Sequence, residues 1–560
     1  MNNILNFELN KILTPRFYLV FAIITIICII LNVEIMVNDD TYVYFNYAKN
    51  FVNGNYFAYD SRKIPSEGFT SLIYLLLLIP FEYIKFPLPV AGFFINSTAL
   101  ILSGFFLLKA INLNTSKKSN GVLAAILFVS FCFIDKNITG IIGWTFETLL
   151  NLLCFLIMIY GCVRIKTSQK GTLLLFIIYF ISILIRPENI VIFSPFLLYV
   201  LLIFADKIKY IRHFIYFLSV FIAYLLVKYL IFGDIFPTGF YRKMSSPGLL
   251  NKDGILYVKD FLLEYKFHII FIIVATIGFK ILKKDEKFID KNIIISSVII
   301  CFVTILFFLK SNPLIGVHFR YLINIIGMIY ILMSFIIIQI FSNKRGVLLA
   351  GIAILQIGKT SANVRNNIFS FIPDTETQIN QHKYIQLGKY FNENIKNPGD
   401  IYFAFGDAGA IPYSFSCKFI DLNGLSEPYL AKLVSNKNSS LKTELYIRYL
   451  NKYKPDIIVI LNGEENQKNP VLLHGPLQKP DEYRSFLKNL SENGYLYGGT
   501  IKAYYKLHIA LNKNSKNFEE LSNALKKYSQ YENLSDRNGR FIINFDAGNI
   551  QFNSINTNLK

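Results

Sequence analysis

Along the first two thirds of the chain, polar and apolar positions alternate in long blocks rather than in short periods. Runs such as Phe17 to Val37, Leu88 to Ile111 and Tyr321 to Ile340 are long enough to cross roughly 30 Å of hydrocarbon as helices. Basic clusters between the runs thread the chain, because Lys and Arg favour the cytoplasmic side. Lys11 and Arg16 place the N-terminus inside. Lys117 and Lys118, Arg164 and Lys166, Lys207 and Lys209, Lys280 to Lys287, and Lys344 with Arg345 then fall on alternate loops. This predicts about eleven spans, near 17–37, 88–110, 121–135, 146–163, 171–186, 189–205, 213–232, 267–282, 292–310, 321–342 and 346–360. Leu72 to Pro80 is interrupted too soon by Pro80, Glu82 and Lys85 and reads as a juxtamembrane or re-entrant piece.

An odd number of crossings leaves the tail outside. There the pattern changes to mixed polar and apolar with Gly, Pro and Asn punctuation, as in a folded domain. Asp400 to Phe405 and Asp456 to Leu461 read as short buried strands, Tyr384 to Ile395 and Lys442 to Lys452 as helices. The expected fold is therefore a multi-pass α-helical membrane domain over residues 1–360, with a loop at 38–70, and an extracytoplasmic mixed α/β domain over residues 361–560.

Composition agrees. Of 560 residues, 53% are hydrophobic and only 17% charged, which excludes disordered and fibrous classes. The net charge of +20 would suggest nucleic acid in a soluble chain, but here loops facing an anionic leaflet account for it, and nucleic acid is discounted as a partner. The six cysteines show neither a disulfide framework nor metal-ligand spacing.

The chemistry concentrates where the first span ends. Asp39 and Asp40 follow it directly, and a carboxylate there can deprotonate a hydroxyl or hold a divalent cation such as Mg2+, Mn2+ or Ca2+. The next segment puts Tyr42, Phe45, Ala48 and Val52 on one helical face and Asn46, Asn50 and Asn53 on another, as in a helix lying on the membrane. The competing reading is that an aspartate caps this helix. Glu67, Glu147, Arg186 and Glu188 lie on the same side and supply polar groups that lipid would reject, so with Tyr42, Tyr241 and His318 they make a candidate substrate pocket. Arg242, Lys243 and Arg320 are cations placed against the topological rule, and an anionic ligand such as a lipid phosphate would account for them. The alternatives are interfacial snorkelling for Arg242 and Lys243, pairing with a local carboxylate for Arg320, a structural ion pair with Glu147 or Glu188 for Arg186, and a hydrogen-bonded structural role for His318. Gly406 to Ala410 reads as a tight turn after a strand, with Asp407 making turn hydrogen bonds, rather than as a phosphate cradle.

Asn38-Asp39-Asp40-Thr41-Tyr42 through Asn50, with Gly54-Asn55 and Ser66-Glu67-Gly68-Phe69-Thr70-Ser71, resembles the first outside loop of GT-C class glycosyltransferases. Within them the chain is most similar to the mycobacterial terminal arabinofuranosyltransferase family and its bacterial relatives. Glu147-Thr148, Arg186-Pro187-Glu188, Gly233-Asp234, Arg320-Tyr321 and the tail segments Gly406 to Tyr413 and Ile420 to Leu425 extend the likeness. The resemblance implies an inverting transfer of a sugar from a polyprenyl-phosphate carrier to a hydroxyl of a cell-envelope glycan or glycolipid, with a loop aspartate as general base. It implies a cell inner membrane location, a lipid-bound donor and a glycan acceptor. Two other classes are compatible with the residues alone: a flippase of lipid-linked glycans, and a non-catalytic glycan-binding membrane protein.

Overall fold

The computed structural model describes residues 14–535 apart from 115–117, 168–170, 204–206, 244–249, 282–290, 312, 314–315, 342–350, 352–375, 435–438, 463–479 and 503–505. The chain is a multi-pass helical membrane protein with a mixed sheet domain at its C-terminal end. Ten of the predicted spans coincide with helical segments, and the eleventh, 346–360, lies outside the described residues, as does the predicted domain boundary near 361. Among the described residues five helices are long and apolar enough to cross a membrane, at Pro15–Asn32, Leu88–Leu113, Thr148–Ile165, Tyr210–Phe232 and Val317–Ile340. Lys118–Ile134 and Lys136–Gly143 form a pair bent by 74°, a sixth crossing if the two count as one broken span. The remaining apolar helices, such as Gly171–Ile185 and Lys266–Ile277, are shorter, as several of the expected spans are.

Four local expectations are corrected. The first helix stops at Asn32, because residues 33–38 are extended and Met36 donates to the Gly143 carbonyl. The Leu72–Tyr83 helix runs through Pro80 instead of breaking there. Pro80 is late enough that the helix ends three residues on. An amphipathic helix, Lys252–Glu264, capped by Asn251, stands between the expected spans 213–232 and 267–282, where hydropathy predicts a loop. The Asp39–Val52 helix does not lie on a surface with one face covered. Residues 43 to 48 are all buried, and the Asn46 and Asn50 side chains donate to the Tyr59 carbonyl, which anchors the returning loop.

The tail sheet has the order β2-β1-β3-β5-β4, with β1 (Tyr402–Phe405) parallel to β2 (Lys418–Asp421) and β3 (Ile457–Asn462), and β5 (Lys506–Asn512) antiparallel to β3 and β4 (Tyr495–Lys502). Side chains alternate across it. Phe403 and Phe405 share a core with the membrane bundle, while Ala404, Ile420 and Ile458 pack under the Ser439–Tyr453 and Pro480–Glu492 helices. The loop after Asp39–Val52 is wedged between the two layers, with Tyr59 against Phe419 at 6.1 Å.

Candidate active site

Four segment ends meet beneath the sheet: the start of Asp39–Val52, the start of the Thr148 helix, the end of Gly171–Ile185 and the 3-10 turn Val317–Leu322. Asn38 is the helix cap, its side chain accepting from the Asp40 amide at 3.0 Å, so capping does not occupy either aspartate side chain. Both sit in the first turn, where the helix dipole favours negative charge.

The two carboxylates point to different partners. Asp39 reaches the tail domain, its Oδ2 accepting from the Gly409 amide at 2.9 Å and its Oδ1 from the Ala410 amide at 2.8 Å. These amides follow the turn at the carboxyl end of β1, the place where open α/β sheets bind ligands. The turn is the strand-to-helix connection expected from the sequence, and its amides also cradle a carboxyl side chain of this protein. Asp407 accepts from the Tyr384 hydroxyl at 3.1 Å. Burial, then the Asp407 and Asp40 charges, push the Asp39 carboxyl well above the ordinary range, against the pull of the two amides.

Asp40 instead pairs with Arg320 at 2.9 Å, and 27% of its side chain stays accessible against 7% for the arginine. The Arg320 guanidinium lies 4.1 Å from the Phe146 ring centroid, and both Arg320 and Arg186 lie 5.0 Å from that of Tyr321. Glu147 at 2.7 Å and Glu188 at 3.2 Å hold one edge of Arg186. The Nε atoms of Arg186 and Arg320 are both buried without a hydrogen-bond partner among the described residues. Two adjacent guanidiniums with donors to spare suit an anion that accepts several hydrogen bonds.

The other predicted residues divide. Tyr42 is beside Asp39 and packs on Tyr413 at 5.3 Å. Glu67 is committed to Lys228 at 2.9 Å, and burial still pushes its carboxyl up to about 7. Tyr241 donates to Asp234, which pairs with Lys432, so this cluster ties the Thr238–Lys243 helix to the tail. The side chains of Arg242 and Lys243 lie outside the described residues. His318 packs edge-on against Trp144 at 5.1 Å and fills the space beside Gly140. It has left-handed backbone geometry and makes no described polar contact with either aspartate.

For a divalent cation the aspartate pair offers few further ligands. Both Asp39 oxygens already accept amides, Asp40 holds a guanidinium, and no group of three metal-ligating side chains occurs among the described residues.

Comparison with solved structures agrees with this architecture. ArnT from Cupriavidus metallidurans bound to undecaprenyl phosphate superposes with a TM-score of 0.54 over 89% of this chain and 98% of its own, at 9% identity. Its apo state gives 0.55 over 88% and 97%, at 8% identity. The fold is that of the GT-C class. Residues 367–518 match a family described as Domain of unknown function (DUF8728), which locates the tail domain without assigning it a role. No curated protein matches the chain.

Proposed function

We propose that the protein is an inverting glycosyltransferase that moves a sugar from a polyprenyl-phosphate carrier to a hydroxyl of a cell-envelope glycan or glycolipid on the extracytoplasmic face. The observation that carries this reading is the meeting of an anchored, raised-pKa carboxylate with two buried guanidiniums that have unused donors. ArnT, of the same fold, was solved with undecaprenyl phosphate bound, which supports a polyprenyl-phosphate ligand for this fold.

In this reading Asp39 is the base. Among the described residues no cation pairs with it, and its raised pKa brings it closer to the basicity that proton abstraction needs. Asp40 aligns Arg320, and Arg320 with Arg186 receives the phosphate. As the acceptor oxygen bonds to the anomeric carbon, its proton passes to Asp39. The bond from that carbon to the phosphate oxygen breaks with its electron pair, and polyprenyl phosphate leaves from the opposite face, its charge held by the guanidiniums.

The test is transfer from polyprenyl-phosphate sugars by purified protein in lipid nanodiscs. Asp39→Asn should abolish transfer while leaving donor binding, and Arg320→Ala should weaken donor binding. Full activity of Asp39→Asn would overturn the assignment of the base. Movement of lipid-linked glycan across vesicles without any sugar transfer would favour a flippase.

A further inference from the structure

A cavity of about 560 Å³ opens between the loop at 59–66, the end of the Tyr210–Phe232 span and the tail helices Pro428–Val434 and Ser439–Tyr453. None of the groups assigned above to the reaction lines it. Its size falls in the range of sites for small ligands, roughly 300–1,000 Å³. One wall is a stacked aromatic pair, Tyr429 on Tyr449, with centroids 5.2 Å apart and planes 16° from parallel. Tyr429 is 46% exposed, so one face of its ring is open to the cavity. Arg448 and Lys452 stand beside it, one turn apart on the same helix. Ser426 also lines the cavity and is 3% exposed, and its Oγ has no partner among the described residues. A buried hydroxyl without a partner is costly, and a ligand with hydroxyls and ring oxygens relieves that cost.

The floor is rigid. Arg62 bridges Asp60 and Glu427, donates also to the Phe419 carbonyl, and Glu427 accepts from Tyr449 at 2.6 Å. The same network that pins the catalytic loop to the tail therefore fixes the ring that Tyr429 stacks on. Open aromatic faces beside polar side chains, held in place by ion pairs, suit sugar rings. A sugar presents apolar C–H faces to an aromatic and hydroxyls to its neighbours.

The cavity is tied through Tyr59 to the helix that carries the proposed base, since Asn46 and Asn50 both donate to the Tyr59 carbonyl. Tyr59 lines it, and burial followed by the Asp39 charge pushes the Tyr59 hydroxyl up, so the two groups are within electrostatic reach. Asn46, whose side chain holds the Tyr59 carbonyl, is two turns from Asp39, about 10 Å along the helix. That separation is too long for the reacting sugar itself.

We infer that this cavity is a subsite for the acceptor glycan, holding sugar units internal to the chain on Tyr429 while the terminal hydroxyl reaches Asp39. The inference rests on the glycosyltransferase reading and deepens it. It predicts that the protein senses acceptor length. The experiment uses full-length Asp39→Asn protein in nanodiscs, so that binding is read without turnover. The probes are arabinose, mannose, glucose and galactose oligomers from disaccharide to pentasaccharide. One series should bind with affinity rising roughly tenfold with length. Adding Tyr429→Ala should remove that gain, Tyr429→Trp should keep it, and Lys452→Ala should reduce it in part. Because Tyr429 is at the surface, its loss leaves the fold intact, as the melting temperature should show. The inference fails if no oligomer binds, or if Tyr429→Ala and Lys452→Ala both bind like the parent. Loss of transfer in the single Asp39→Asn variant is scored separately, so a failed subsite and a failed enzyme assignment give different results.

Discussion

The contact between Asp39 and the tail can be broken by one methyl group. A Cβ at position 409 would lie 2.0 Å from the Asp39 carbonyl oxygen and 2.7 Å from its Cγ, where ordinary contact begins at 3.4 Å, so the two backbones must part by about 1.4 Å. Neither backbone is the end of a flexible side chain, and both amide bonds to the carboxylate are lost together. Each is a charge-assisted bond worth about 1.5–3 kcal/mol. A misplacement of about 1 Å at a reacting group costs on the order of 100-fold in rate. Gly409→Ala should therefore lower kcat by about 100-fold or more, with the KM for the lipid donor changed little, because the guanidiniums are untouched. The control is Gly399→Ala, whose new Cβ meets its neighbours only at 3.8 and 3.9 Å and should be neutral. The assay is transfer from a radiolabelled polyprenyl-phosphate sugar, with circular dichroism and gel filtration to verify folding. If folded Gly409→Ala protein keeps a kcat within about twofold of wild type, the tail amides do not position the base and the argument fails.

Three further predictions concern the groups around that contact. Because Asp39 acts only when deprotonated and its pKa is raised, kcat/KM should rise with pH through a value above the usual carboxylate figure of about 3.9. Asp407→Asn removes a charge that raises it, so the acid limb should move to lower pH; an unmoved limb would separate Asp39 from the titration. Arg320→Lys keeps the charge but loses the flat stack on Phe146 and Tyr321 and the unused Nε donor, so the donor KM should rise about tenfold, as measured by steady-state kinetics. Glu147→Gln leaves the buried Arg186 with only Glu188, and breaking such a pair costs about 3–5 kcal/mol. A clear drop in melting temperature is expected, and Glu147→Gln with Arg186→Met should regain part of it.

Much of the architecture was legible because apolar run length is a one-dimensional signal. The helices at Leu88–Asn114, Thr148–Thr167 and Gly171–Ile185 begin and end within a few residues of where hydropathy and basic clusters put them. The polar groups at helix ends were legible for a related reason. Asp40, Glu147, Arg186 and Arg320 interrupt lipid-compatible sequence, and the structure brings these four together. Less visible were features whose cause is tertiary. Lys252–Glu264 is too polar to register as a span, and its helix depends on packing of Val258 and Phe261. His318 adjoins Arg320 in sequence, but the left-handed turn at His318 and Phe319 directs its ring to Trp144. The Gly409 and Ala410 amides could not be found by side-chain chemistry at all, since every residue but proline carries one, and they meet their carboxylate across 370 positions of sequence.

Orientation and basicity of Asp39 are consequently one property rather than two. The largest influence on its carboxyl is burial, and the neighbouring Asp407 adds to it; both are supplied by closure of the tail over the loop. The two amides that arrive with that closure oppose the rise, yet they fix the oxygens in place. If the tail lifted, water would reach the carboxylate, its pKa would fall back toward the ordinary range, and it would become both weaker and unaimed. A base built in this way is competent only while the tail is docked. The buried Arg62 bridge to Asp60 and Glu427 holds the other end of the same loop against the same domain, so the loop is clamped at both ends. In the proposed mechanism the proton acceptor is therefore set in place by the membrane bundle and the sheet domain together.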